Sequence, residues 1–172
     1  MGAWLLLPFF LLRFGLLYRL DRTAVRRAAH FAPVRGGERA AYWVYQISNA
    51  AIFVSLFFLR VRTAPRGLFG AGLAVYLAGL LLLAASVVNF AAADKDGFCE
   101  RGLYRFSRNP MYVAYFVYFI GCALLTRSPV LLVFTLVFQL SAHGIILAEE
   151  RWCARQFGQA YRAYMERVGR YL

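Results

Sequence analysis

Charge is what this chain has least of. Only 16% of its 172 residues are Asp, Glu, Lys or Arg, against 62% apolar and 17% aromatic, whereas a soluble domain is about a quarter charged. That shortage excludes a water-soluble globule and makes lipid the solvent. Lysine is almost missing: Lys95 is the sole one, so the formal net charge of +12 is carried by arginine. Low-complexity tracts, Ser/Gly linkers and internal repeats are lacking, which leaves a single membrane domain over 1–172. The three cysteines, Cys99, Cys122 and Cys153, show no metal-ligand spacing. They read as reduced structural thiols, and no metal site is expected. A glycine-rich strand–helix unit is also lacking, so a nucleotide-like cofactor has to be held in some other way. The opening Met1–Leu12 has no basic start and no small-residue cleavage site, and reads as a retained first span rather than a signal peptide.

What remains is a set of long apolar runs. A span needs roughly 20 apolar residues, or about 17 at the short limit. Trp4–Tyr18 qualifies weakly, interrupted by Arg13. Ala40–Leu59 qualifies while carrying Gln46, Ser48 and Asn49, and Leu68–Phe90 has no charge at all. Met111–Leu125 and Val130–Leu147 are joined by Thr126-Arg127-Ser128-Pro129, whose Pro129 suits a first helical position. The predicted fold is all-α: a polytopic membrane bundle of about five transmembrane helices, ending in a C-terminal hairpin and an amphipathic cytosolic tail helix. Residues 1–94 supply three spans and their connectors, and 95–172 supply the hairpin and tail.

Arginine orients the bundle. Six arginines lie in 19–39, four Lys/Arg in 91–108 and five from 149 onward, against four in the two intervening connectors. By the positive-inside rule the first connector, the third connector and the tail face the cytosol, with the N-terminus outside. The net charge is then an orientation signal with attraction to anionic headgroups, and nucleic acid is not an expected partner.

Two polar signatures therefore meet at one cytosolic mouth. The first is Gly102-Leu103-Tyr104 followed by Arg108-Asn109-Pro110-Met111-Tyr112. The second is Glu149-Glu150, then Phe157-Gly158, Tyr161 and Tyr164. In the first, Asn109 suits a helix cap and Pro110 the first turn. Arg108 beside free helix N–H groups makes an anion site. Tyr104 and Tyr112 are placed either to stack on a planar ring or to anchor at the interface. Gly102 marks a tight turn or a close backbone approach. In the second, adjacent carboxylates repel, and a cationic ligand relieves that repulsion. Gln139, His143 and Glu150 share one face of the last span, with Glu149 and Cys153 beside it. The plainer alternative for this stripe is hydrogen bonding between helices, through Gln46, Asn49 or Asn89. The tail, with Trp152, Phe157, Tyr161, Tyr164, Met165 and Val168 at helical spacing, either rests on headgroups or folds back beneath the hairpin.

Carboxylates for a cation, an arginine for an anion and aromatics for a ring match S-adenosylmethionine, which carries a sulfonium, an ammonium, a carboxylate and adenine. In this order around a hairpin, the signatures resemble the isoprenylcysteine carboxyl methyltransferase and phospholipid methyltransferase superfamily, over roughly 95–172. The resemblance implies an integral membrane enzyme using S-adenosylmethionine on a hydrophobic or lipid-like acceptor. Its cofactor would be bound by Arg108, Pro110, Tyr112, Glu149 and Glu150, with Gly102, Tyr104 and Asn109 in the same signature. Glu150, Arg108 and His143 are the candidate catalytic groups. The chain departs from the family's pattern twice. Asn109 stands where a histidine is frequent, and Ile145-Ile146-Leu147-Ala148 lacks the arginine that carboxyl methyltransferases often place before the paired glutamates. The expected activity is of the carboxyl methyltransferase type, with a phospholipid N-methyltransferase as alternative. A non-catalytic carrier or interaction subunit is the reading from another class.

Overall fold

The computed structural model describes residues 1–22, 24–25, 32–92 and 98–171, and among these there are helices and no strands. Among the described residues, six helices of ten residues or more follow one another. They are α1 (Gly2–Leu20), α2 (Glu38–Phe58), α3 (Arg66–Ala91), α4 (Pro110–Thr126), α5 (Pro129–Gln156) and α6 (Gly158–Arg167). Four of them, α1, α2, α3 and α5, are long and apolar enough to cross a membrane. The fifth apolar helix, α4, has 17 residues, about 26 Å at 1.5 Å per residue, close to a hydrocarbon core of about 30 Å. The chain is an integral membrane helix bundle. Arg26, Arg27 and Lys95, which contribute to the charge asymmetry, lie outside the described residues.

Proline and serine set the hairpin as expected. Pro110 and Pro129 each occupy the first turn of their helices, where the missing N–H costs nothing. Ser128 caps α5 by accepting from the Leu131 amide at 3.1 Å. Arg127 adopts a left-handed conformation at φ 50° to reverse the chain.

The two helices of this hairpin nevertheless pack chiefly against other partners: α4 lies along α3, and α5 along α2. Small residues explain the choice. A Cβ on Gly79 of α3 would stand 2.5 Å from the Tyr118 backbone, and one on Gly121 of α4 would stand 2.5 Å from that of Tyr76. Reciprocal glycines let the two backbones touch, the usual device where lipid gives no hydrophobic drive between helices. Gly144 plays the same part toward Ala41 between α5 and α2.

α1 is irregular, passing from a 3-10 turn through α to a π segment at Leu11–Leu16 before returning to α. Its exposed backbone is tied down by side chains. The hydroxyls of Tyr76 and Tyr118 donate to the Leu5 carbonyl at 2.9 and 2.8 Å, and Phe9 stacks on Tyr118 with ring centroids 4.9 Å apart.

The α3–α4 contact generates a test. Gly79→Leu forces a side chain into the Tyr118 backbone and should lower stability by about 1–3 kcal/mol or more. Gly70→Ala, with no atom within 4 Å of the new methyl, should leave the midpoint unchanged in thermal unfolding of the detergent-solubilised protein.

Candidate functional site

Antiparallel spans bring the start of α4 and the end of α5 to one end of the bundle, and residues 98–109 of the connector before α4 pack there against α3 and α6. Gly102 turns that connector at φ +58°. A Cβ there would lie 2.1 Å from Asn89 Oδ1, which accepts from the Leu103 amide at 2.9 Å. Both expectations for Gly102, turn and close approach, hold. Asn89 is thus engaged by the connector rather than by α5. Tyr104 is buried, and its carbonyl accepts from the Tyr164 hydroxyl at 2.7 Å. Burial pushes both phenols above their ordinary pKa, so they stay neutral. Gly102 and Tyr104 thus fasten the connector to α3 and α6.

The tail folds back beneath the hairpin. Phe98 packs against Phe157, Tyr161 and Tyr164 with centroids 4.9–5.3 Å apart, and Tyr161 and Tyr164 are buried. These aromatics are used in fastening α6. Past α6 the strap 168–171 returns to the start of α4, where the Arg108 amide donates to the Gly169 carbonyl at 3.0 Å. Ser107 Oγ donates to the Arg170 carbonyl at 3.4 Å, and the same oxygen accepts from the Asn109 amide at 3.1 Å.

Glu150 is the hub, with only 4% of its side chain exposed. Arg108 Nη2 lies 3.3 Å from its Oε1, and Asn109 Nδ2 donates to that oxygen at 3.3 Å. Arg170 grips both oxygens, with Nε at 3.2 and 3.0 Å and Nη2 at 2.9 Å. This bonding holds the Arg170 pKa above its usual value. Asn109 occupies the cap position, but its side chain caps nothing. Its Nδ2 instead donates to the buried Glu150 carboxylate and to the Arg170 carbonyl, 3.2 Å away, which turns the side chain toward the strap.

Glu149 points elsewhere. Its Oε1 accepts from the Tyr112 hydroxyl at 3.0 Å, and Arg13 lies within electrostatic range of it. Arg13 also hydrogen-bonds Tyr115. The adjacent carboxylates are thereby split, one facing the strap and one facing α1.

His143 Nδ1 lies 2.8 Å from the Tyr171 hydroxyl, so the strap reaches this member of the polar stripe too. Gln139 does not join. Its Oε1 is buried without a hydrogen-bond partner, and Gln46 bonds Tyr42 instead. Among the described residues no cysteine forms a disulfide; Cys99 donates to the Asn89 carbonyl at 3.1 Å, and Cys122 is buried among the spans.

Arg108, Asn109, Tyr112, Glu149, Glu150 and His143 therefore converge on one end, with Pro110 setting the start of α4. Sequence reasoning missed Arg13, Arg170 and Tyr171. Arg13 carried a signal, a charge inside an apolar run beside which a partner was due. Arg170 carried none, being one of five arginines in the tail.

A membrane helix bundle with a compact polar site at one end of its spans defines the class of the molecule. Within that class the chain belongs to the phospholipid methyltransferase family, whose family model matches residues 68–160, just over half of the chain. It is therefore a membrane methyltransferase of the superfamily that also holds the isoprenylcysteine carboxyl methyltransferases. No curated protein and no solved structure matched the chain.

The hub yields the next expectation. Glu150→Ala leaves two guanidiniums facing each other in a largely desolvated place, and should cost at least about 2 kcal/mol. Glu150→Gln, which keeps the packing, should cost less in the same unfolding measurement.

Proposed function

We propose that the protein transfers a methyl group from S-adenosylmethionine to a lipid-like acceptor at the cytosolic mouth of the bundle. The observation that carries this reading is the splitting of the acidic pair. Glu150 is paired with arginines, while Glu149 meets a phenol and faces away from them. One end of the bundle thus offers an anionic and a cationic position side by side, the complement of a zwitterion. The residues fit the cofactor on a further count: Arg108 Nε is buried and, among the described residues, without a partner, a donor suited to a carboxylate. When bound, S-adenosylmethionine supplies an electrophilic methyl on a sulfonium.

This chain's residues then have three tasks. Glu149, fixed by Tyr112, faces positive charge. Arg108 holds negative charge, with Asn109 helping to seat Glu150 against it. The surrounding spans exclude water, so the charges act at reduced dielectric. Transfer by in-line displacement asks mainly for alignment of the reactants. The arginine bias of the connectors supports a cytosolic location.

Two acceptor chemistries divide here. A carboxylate arrives deprotonated and needs no base, and the arginine-rich mouth suits it. An amine headgroup, as a phospholipid offers, must lose a proton first. The His143–Tyr171 contact supports the amine reading in one tautomer: where Nδ1–H donates to the phenol oxygen, Nε2 is the acceptor that a general base needs.

Incubating purified protein and native lipid extract with methyl-labelled cofactor tests the reading. Label in a lipid headgroup supports the amine, and label in a base-labile ester supports the carboxylate. Absence of label from every fraction would refute methyl transfer. Glu149→Gln should weaken cofactor binding about tenfold or more by calorimetry in detergent; an unchanged affinity removes Glu149 from the site.

A further inference from the structure

The strap 168–171 lies beyond the stretch that matches the family, which ends at residue 160. It nevertheless delivers the best-bonded cation of the site. Arg170 spends Nε and Nη2 on Glu150, and among the described residues its Nη1 has no partner. Arg108 spends Nη2 on the same carboxylate. Its Nε is buried and unpartnered, in a side chain only 8% exposed. Among the described residues, two guanidiniums against one carboxylate leave a positive charge uncompensated. A buried N–H without an acceptor adds a desolvation cost that the fold does not itself relieve. A single occupant relieves both: an anionic oxygen group seated against the two arginines.

We infer that Arg170 is the second arm of an anion clamp whose first arm is Arg108, and that Glu150 holds the two arms together rather than receiving a cation. The chemistry recognised is a carboxylate or phosphate oxygen, which guanidinium forks match in geometry as well as charge. Two molecules at this site carry such a group, the methyl donor through its carboxylate and an acidic lipid acceptor through its headgroup. Because Arg170 hangs on a four-residue strap fixed by the Gly169 and Arg170 carbonyls, the second arm is assembled only when the C-terminus is docked. The inference rests on the methyl-donor reading, and its test separates the two.

The full chain in detergent is titrated with S-adenosylhomocysteine, with 5′-methylthioadenosine, which lacks the amino-acid end, and with phosphatidic acid in mixed micelles. The variants are Arg170→Ala, Arg170→Gln, which retains a donor toward Glu150, and Arg170→Lys, which retains charge without the fork. If the clamp takes the donor's carboxylate, Arg170→Ala weakens S-adenosylhomocysteine about 10- to 100-fold. Methylthioadenosine then stays within twofold, and Arg170→Lys recovers part of the loss. If it takes an acceptor's anion, S-adenosylhomocysteine is unchanged and phosphatidic acid weakens by the same factor. Equal weakening of S-adenosylhomocysteine and methylthioadenosine, in Arg170→Gln as in Arg170→Ala, would assign Arg170 a merely structural role and overturn the clamp. So would no change for any ligand. Wild-type protein that binds neither adenosyl compound would instead overturn the methyl-donor reading, and the clamp with it.

Discussion

A carboxylate that is almost fully buried at the end of a membrane helix needs charged partners to offset its lost hydration, and here that requirement organises a whole end of the molecule. Glu150 receives one guanidinium from the start of α4 and another from the last residues of the chain. Neither arginine lies near it in sequence. To satisfy one buried charge, the connector before α4 must be placed, α6 must fold back and the strap must return across the bundle. The aromatic packing of Phe98 on α6 and the Tyr164–Tyr104 hydrogen bond hold the pieces in register, so the ion triad is not carried by electrostatics alone. A buried ion pair is weak evidence for stability taken by itself; its value here is to specify where three separate segments end.

The same constraint explains why the acidic pair is tolerable. Two neighbouring carboxylates at a membrane boundary repel one another, and no single cation between them is the answer found. They diverge around α5, one toward the strap and the other toward Tyr112 and the interior of α1. The π segment of α1 carries Arg13 at the level of Tyr115 and Glu149. Such segments cost hydrogen-bond quality and are often found where a side chain must be re-aimed. α1 lies outside the part of the chain that matches the family, yet it contributes charge to the same site.

Much of this was legible in the sequence, for a physical reason. Hydrophobic length announces a span whatever its neighbours are, so all five apolar runs were visible, and Pro110, Pro129 and Gly102 declare backbone requirements that are local. What was illegible depended on partners. The hairpin α4–α5 looked like a packing unit, but the glycines at 79, 121 and 144 direct each helix to a different neighbour, a choice fixed by shape across the bundle. Asn109 had the credentials of a cap and lost that role to a carboxylate 41 positions away. Arg170 was hidden by its own abundance: among many arginines that serve orientation, nothing local marks the one that is bonded.

That last point bears on how chemistry is divided between the two halves of the site. Arg108, Asn109, Tyr112, His143, Glu149 and Glu150 all lie within the matched stretch, on α4 and α5 or just before α4. The groups that reach the site from outside it, Arg13 from α1 and Arg170 and Tyr171 from the strap, come from the two flanking segments. Selectivity is a difference between affinities, so it can be set by groups that touch only one of two competing acceptors. On that division, His143 is the residue where the halves meet, since it sits on α5 yet takes its orientation from Tyr171.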